Sequence, residues 1–137
     1  MTTQAKRLMG EFVGVVEKEV GKLQLRLLQL LSSATPVDTG FARSGWTPGV
    51  GSPIADASRR PADEAAARSV ARSRGEVNKS KALALARAYK VTQGPAFLSN
   101  ATPYIVALNE GSSAQAPAKF IDRSIEIAVV ASGGSVV

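Results

Sequence analysis

Residues 3–33 read TQAKRLMGEFVGVVEKEVGKLQLRLLQLLSS, a run with no proline. Apolar side chains recur in it at helical spacing: Leu8, Phe12, Val16, Val20, Leu23, Leu27 and Leu30 fall on one side when successive residues turn by 100°. The spacing predicts one helix over residues 1–34, about 50 Å long at 1.5 Å per residue. That is longer than the core of a small domain is wide, so part of the helix protrudes or meets another chain. Gly10, Gly14 and Gly21 form a second stripe almost opposite the first, read either as a tolerant exposed face or as a smooth groove for a neighbouring helix. In the stretch LQLRLLQLL, Leu25 and Leu28 point away from the main stripe, which makes this half apolar nearly all round. Burial on both sides of a helix in a small domain suggests a subunit interface, with Gly14, Gly21, Leu25, Leu28 and Leu31 as its candidates.

Outward from this helix the composition narrows the chemistry. The chain has 137 residues, a formal charge of +6, 45% hydrophobic and 5% aromatic residues, and neither His nor Cys. A chain of this length is one ordinary domain with a real core, built here from Ala, Val, Leu and Ile. Without imidazole or thiol there is no Ser-His-Asp or Cys-His nucleophile, no Cys/His zinc site and no disulfide. The GVGSP segment lacks the lysine and helix pattern of a phosphate-binding loop, and the acids show no metal-ligand spacing. No enzyme activity, cofactor or metal is therefore expected. Nothing reads as a signal peptide or membrane span, and the expectation is a cytoplasmic product.

The charge sits in one place. Between Arg59 and Lys90 lie nine bases and three acids, while the rest of the chain is neutral. This Ala-rich segment, residues 57–90, reads as a peripheral basic helical arm: Pro61 suits a first helical position, Asp63 and Glu64 suit the first turn, and Gly75 and Asn78 break it in two. Its Arg59, Arg60, Arg68, Arg72, Arg74, Lys79 and Lys81 are candidates for contact with DNA or with an acidic partner.

After the first helix, Pro36, Asp38 and Gly40 make a sharp turn, with Asp38 bonding to the backbone near Gly40 and Gly40 supplying a positive φ. Phe41 to Trp46 reads as a short strand and 47–58 as a loop. A second strand contains Phe97 and Leu98. A short helix follows with Thr102 as cap, Pro103 at the first position and Gly111 at its end. Pro117 opens a last helix whose apolar face is Ile121, Ile125, Ala128 and Val129, and residues 132–137 read as a frayed tail. Arg43 is expected to pair with an acid such as Glu110 at a subunit boundary or to form a surface salt bridge. Trp46 and Tyr104 read as core or interface anchors. Asp122 and Glu126, interleaved with Lys119 and Arg123, read as a solvated face.

Two blocks carry a resemblance. TPVDTGFARSGW (35–46) and FLSNATPYIVALNEGSSAQAP (97–117), followed by an amphipathic helix, resemble the tail-completion or neck family of long-tailed bacteriophages, small minor tail components of the head–tail junction. The matching positions are Thr35, Pro36, Val37, Asp38, Thr39, Gly40, Arg43 and Trp46, then Asn100, Pro103, Tyr104, Glu110, Gly111, Ala116 and Pro117. The central Arg/Ala segment is longer and more basic than the usual linking region of the family.

The resemblance implies an α+β domain, a long N-terminal helix packed on a small antiparallel sheet with short helices, to which the chain's own composition adds the basic arm. It further implies a virion protein that forms a homo-oligomeric ring, a hexamer by analogy with tail tubes, between connector or neck proteins and the tail tube protein. Assembly would take place in the host cytoplasm, with non-specific contact to genomic DNA and none to a membrane. The competing class is a histone-like DNA-binding protein that uses residues 59–90.

Overall fold

The structure, a computed structural model, describes residues 2–36, 40–54, 56, 58–111 and 119–133. Helix α1 (Thr3–Ala34) leads through a 3-10 turn (Arg43–Gly45) to strand β1 (Thr47–Val50) and then helix α2 (Glu64–Ala88). A second 3-10 turn (Val91–Gln93) precedes β2 (Ala96–Ser99), α3 (Ile105–Asn109) and α4 (Phe120–Ala131). The architecture is α+β, with a two-stranded antiparallel sheet in which Thr47 faces Ser99 and Val50 faces Ala96. The expected Asp38 turn and the Pro117 helix start lie outside the described residues, as does the tail beyond Gly133.

Helix α1 is continuous as its proline-free sequence requires. The Thr2 hydroxyl accepts from the Ala5 amide at 3.1 Å to start it, and Thr35 ends it, its N–H bonded to the Leu31 carbonyl. Its buried stripe is Glu17, Gly21, Gln24, Leu28 and Leu31, one residue later than the expected Val16, Val20, Leu23, Leu27, Leu30 and so about 100° round the helix. Two contacts cause the rotation. A Cβ on Gly21 would lie 2.8 Å from the Ala86 Cα, so the glycine admits the backbone of α2. Gln24 donates from one amide nitrogen to the Gly49 carbonyl at 3.1 Å and the Phe97 carbonyl at 2.8 Å, holding both strands against the helix. Glu17 accepts from the Val91 amide at 2.8 Å.

The expectation that the doubly apolar half of α1 serves a subunit interface is corrected by this packing. Helix α1 contacts both α2 and α4. Leu28 and Leu31 are buried in the chain's own core, Leu25 packs against that core, and Gly21 meets α2 of the same chain. Of the two glycine candidates, Gly14 meets none of the described residues within 4 Å of where a Cβ would stand.

Helix α2 overturns the reading of a broken, peripheral arm. It is one helix, capped by the Asp63 carboxylate accepting from the Ala66 amide at 2.9 Å, with Pro61 ahead of it rather than in it. Its inner stripe is Ala67, Ala71, Arg74, Asn78 and Ala82. Small side chains bury little area but let helices approach closely, and here that suffices to place α2 against α1. Asn78 does not break the helix because its amide is spent on the Ser44 carbonyl at 3.0 Å rather than on its own backbone.

The first strand lies later than expected. Gly40 at φ 85° turns the chain, the Ser44 amide reaches back to the Gly40 carbonyl at 2.9 Å, and residues 43–45 coil into a 3-10 turn instead of extending. Thr47-Pro48-Gly49-Val50 then forms β1, and its proline is tolerated because both strands of a two-stranded ribbon are edges. Strand β2 coincides with the expected Phe97–Leu98 strand. Helix α3 starts at Ile105 with Tyr104 as its unbonded cap, so Thr102 caps through its carbonyl to the Ile105 amide and not through its hydroxyl. Gly111 follows the helix at φ 98° as expected. Helix α4 buries Phe120, Ser124 and Ala128 and leaves Ile125 41% exposed, a face also rotated from the expected one.

Candidate functional site

The two sequence blocks, far apart in the chain, meet around the 3-10 turn. Thr35 is fully buried. Its hydroxyl donates to the Leu31 carbonyl at 2.6 Å and accepts from the Trp46 indole at 2.9 Å. Arg43 donates to the carbonyls of Ser33 at 3.2 Å and Thr35 at 3.2 Å and 3.3 Å, supplying positive charge where the helix dipole ends negative. Within the chain it forms no ion pair with Glu110, which is exposed. Asn100 closes the link: its amide donates to the Ala42 carbonyl at 2.9 Å and its oxygen accepts from the Thr102 amide at 3.0 Å. Gly45 sits where a Cβ would come within 2.8 Å of that oxygen, so no side chain fits.

Arg74 of α2 locks the same turn. It is 9% exposed, and its guanidinium lies 3.9 Å from the Phe41 ring centroid. It donates to the Phe41 carbonyl, to the Ser44 hydroxyl at 3.2 Å and to the Asp56 carboxylate at 3.4 Å. This corrects its assignment to DNA or partner docking: all three donor positions are occupied inside the fold. Burial pushes the Arg74 guanidinium down from the usual arginine value and Asp56 pulls it back up. Hydrogen bonds from Ser58 hold the Asp56 carboxyl below its ordinary value, partial burial opposes them, and Arg74 lowers it further.

Above this hub, α1, α2 and the 3-10 turn enclose an open groove of about 680 Å³. Leu28, Trp46 and Ala71 contribute its apolar surface, and among the described residues Arg43, Arg68, Arg72 and Lys79 contribute cations against the single acid Glu76. Arg68 pairs with Glu64 at 3.7 Å, both side chains exposed. Among the described residues no carboxylate lies within ion-pair distance of Arg72 or Lys79. Thus three of the seven basic candidates share one groove. Arg59 is exposed, Arg60 bonds the Pro61 carbonyl at 3.1 Å, and Lys81 is half-buried on the same helix.

The other block positions have local explanations. Pro36 follows the α1 cap, while Pro103 and Glu110 are exposed. Tyr104 is 40% exposed and is no core anchor, whereas Trp46 is one. Asp122 and Glu126 are exposed as expected, Asp122 accepting from the Asn109 amide at 3.2 Å. Sequence reasoning missed Glu17, Gln24, Ser44, Arg74 and Asn78 as structural residues. The signal for the last two was present in Ala67, Ala71 and Ala82, whose helical spacing runs through positions 74 and 78.

A second feature is the free end of α1. Residues 6–12 are all exposed, and Leu8, Met9, Phe12 and Val15 show 52%, 54%, 64% and 60% of their surfaces. Among the described residues no group of His, Cys, Asp and Glu could hold a metal ion, and no helix is long and apolar enough to cross a membrane. No known protein family, characterised protein or solved structure matches the chain.

Proposed function

We propose that this chain is a structural virion protein of the tail-completion or neck type, forming a homo-oligomeric ring at the head-proximal end of a phage tail and joining it to the head connector. The observation that carries the reading is the unpartnered apolar end of α1. Leu8, Phe12 and Val15 share one helix face, and leaving a Phe and two aliphatic side chains in water forfeits roughly 1.5–3 kcal/mol each relative to full burial. A neighbouring subunit recovers this. In the proposed ring the patch meets a different surface of the next copy, a heterologous contact of the kind that forms a ring when its rotation closes, six-fold by analogy with tail tubes. The joint made by the two blocks supports the same reading: Thr35, Arg43, Trp46 and Asn100 form a rigid base from which the helix projects. The ring needs no cofactor and no catalytic residue.

Electron microscopy of particles assembled with an epitope-tagged chain tests this. Label at the neck is expected; its absence from assembled particles would refute the assignment.

The second reading, sequence-independent DNA binding, is favoured by Arg72 and Lys79 lacking carboxylate partners among the described residues. Filter binding across a salt series checks it: DNA affinity that falls steeply with salt, and less steeply after Arg59, Arg68 and Arg72 are replaced, would favour DNA.

A further inference from the structure

Gly75 is the feature of the groove that the fold itself does not explain. It stands in the interior of α2, where glycine is a poor helix former. Among the described residues a Cβ there would touch only the Ser44 Cβ, at 3.7 Å, an ordinary contact. Packing therefore does not require a glycine, in contrast to Gly21 and Gly45. What Gly75 provides is depth: it lines the groove between Arg72 and Lys79 on the same stripe of α2, and any large side chain would fill the space.

The chemistry of the walls selects the occupant. Leu28, Ala71 and Trp46 are the buried apolar residues of the lining, beside the polar Gln29, Ser32 and Ser33, and the Trp46 indole N–H is already satisfied by Thr35, so this part of the floor offers apolar contact and no indole donor. The rim is cationic. A DNA duplex is too broad to reach the floor of a groove of about 680 Å³, and Trp46, 6% exposed, offers no open ring face for base stacking. The chain's own exposed apolar helix end carries Lys6 and Arg7 against Glu11, which is the wrong sign for this rim. We propose that the groove docks an acidic segment of another protein, with an apolar side chain inserted beside Gly75 and carboxylates on Arg72 and Lys79. This docking does not depend on ring formation, since one copy contains the whole groove.

Trp46 is the only tryptophan, so its emission reports occupancy. The full chain is titrated with a short amphipathic peptide of glutamates around Leu and Phe, with the same peptide bearing lysines, with poly-glutamate, and with a mixed-sequence DNA duplex. The acidic amphipathic peptide is expected to shift Trp46 emission and to bind roughly tenfold more tightly than poly-glutamate, and raised salt is expected to weaken it. Gly75→Leu, which improves helix propensity, and the exposed double variant Arg72→Glu/Lys79→Glu are each expected to weaken binding roughly tenfold while thermal melting remains cooperative. Three results would overturn the proposal: no binding of the acidic peptide, peptide binding that neither variant weakens, or DNA binding lost in Arg72→Glu/Lys79→Glu and untouched in Gly75→Leu with the peptide inert.

Discussion

Arg74 is counted with the basic residues of its segment, yet it behaves as a core residue. It caps the Phe41 carbonyl, the Ser44 hydroxyl and the Asp56 carboxylate while stacking on the Phe41 ring. Removing one member of a buried charge network leaves the others unpaired, so Arg74→Ala is expected to cost about 3 kcal/mol, measured by urea unfolding followed through Trp46. Replacement of the exposed Arg72 should stay within about 0.5 kcal/mol. The Asp56 carboxyl adds a pH signature. Its folded-state pKa lies below the ordinary 3.8, so its contribution is fully present above that value and is lost as pH falls through the folded pKa. The melting difference between the natural chain and Asp56→Asn should therefore be largest near neutrality and vanish in acid. Total charge was legible in the sequence; the inward direction of one arginine was not, because the Ala spacing that reveals it carries little hydrophobic weight.

At the scale of elements, the long helix, the α+β class, the second strand and the glycine at the end of α3 were all readable from proline placement, helical spacing and turn chemistry. The face of α1 was not. Apolar periodicity favours Val16, Val20, Leu23 and Leu27, whereas a glycine and two hydrogen-bonding side chains, Gly21, Gln24 and Glu17, make the buried contacts. A hydrophobicity pattern gives no weight to a glycine that admits a backbone or to a glutamine that bridges two strands. The first strand was misplaced for a similar reason: Thr47-Pro48-Gly49-Val50 has the composition of a loop, and its pairing depends on β2 and Gln24. The three glycines of α1 accordingly separate by substitution. Gly21→Ala, blocked by the Ala86 backbone at 2.8 Å, is expected to destabilise by about 2 kcal/mol. Gly10→Ala and Gly14→Ala, which meet nothing within 4 Å, should each stabilise by up to about 1 kcal/mol. Thermal melts of the three variants decide it.

For the molecule as a whole, the +6 charge resolves into a helix with two roles. One stripe of α2 holds the fold through Arg74 and Asn78, and the adjoining stripe lines a groove with Arg68, Arg72 and Lys79. The notable surfaces of the described residues are the basic groove and the apolar end of α1. Which block residues were structural was only half legible, since Asn100 and Gly45 meet through the tertiary fold and not through sequence spacing. Ring formation through α1 is most directly tested by light scattering on the purified 14.2 kDa chain beside Leu8→Asp/Phe12→Asp, two exposed positions whose replacement should leave the helical content of each chain nearly unchanged. A discrete closed oligomer for the natural chain, reduced to monomer by the double substitution, is the expected result. A natural chain that stays at 14.2 kDa at every concentration, or an oligomer that the double substitution leaves intact, would contradict it.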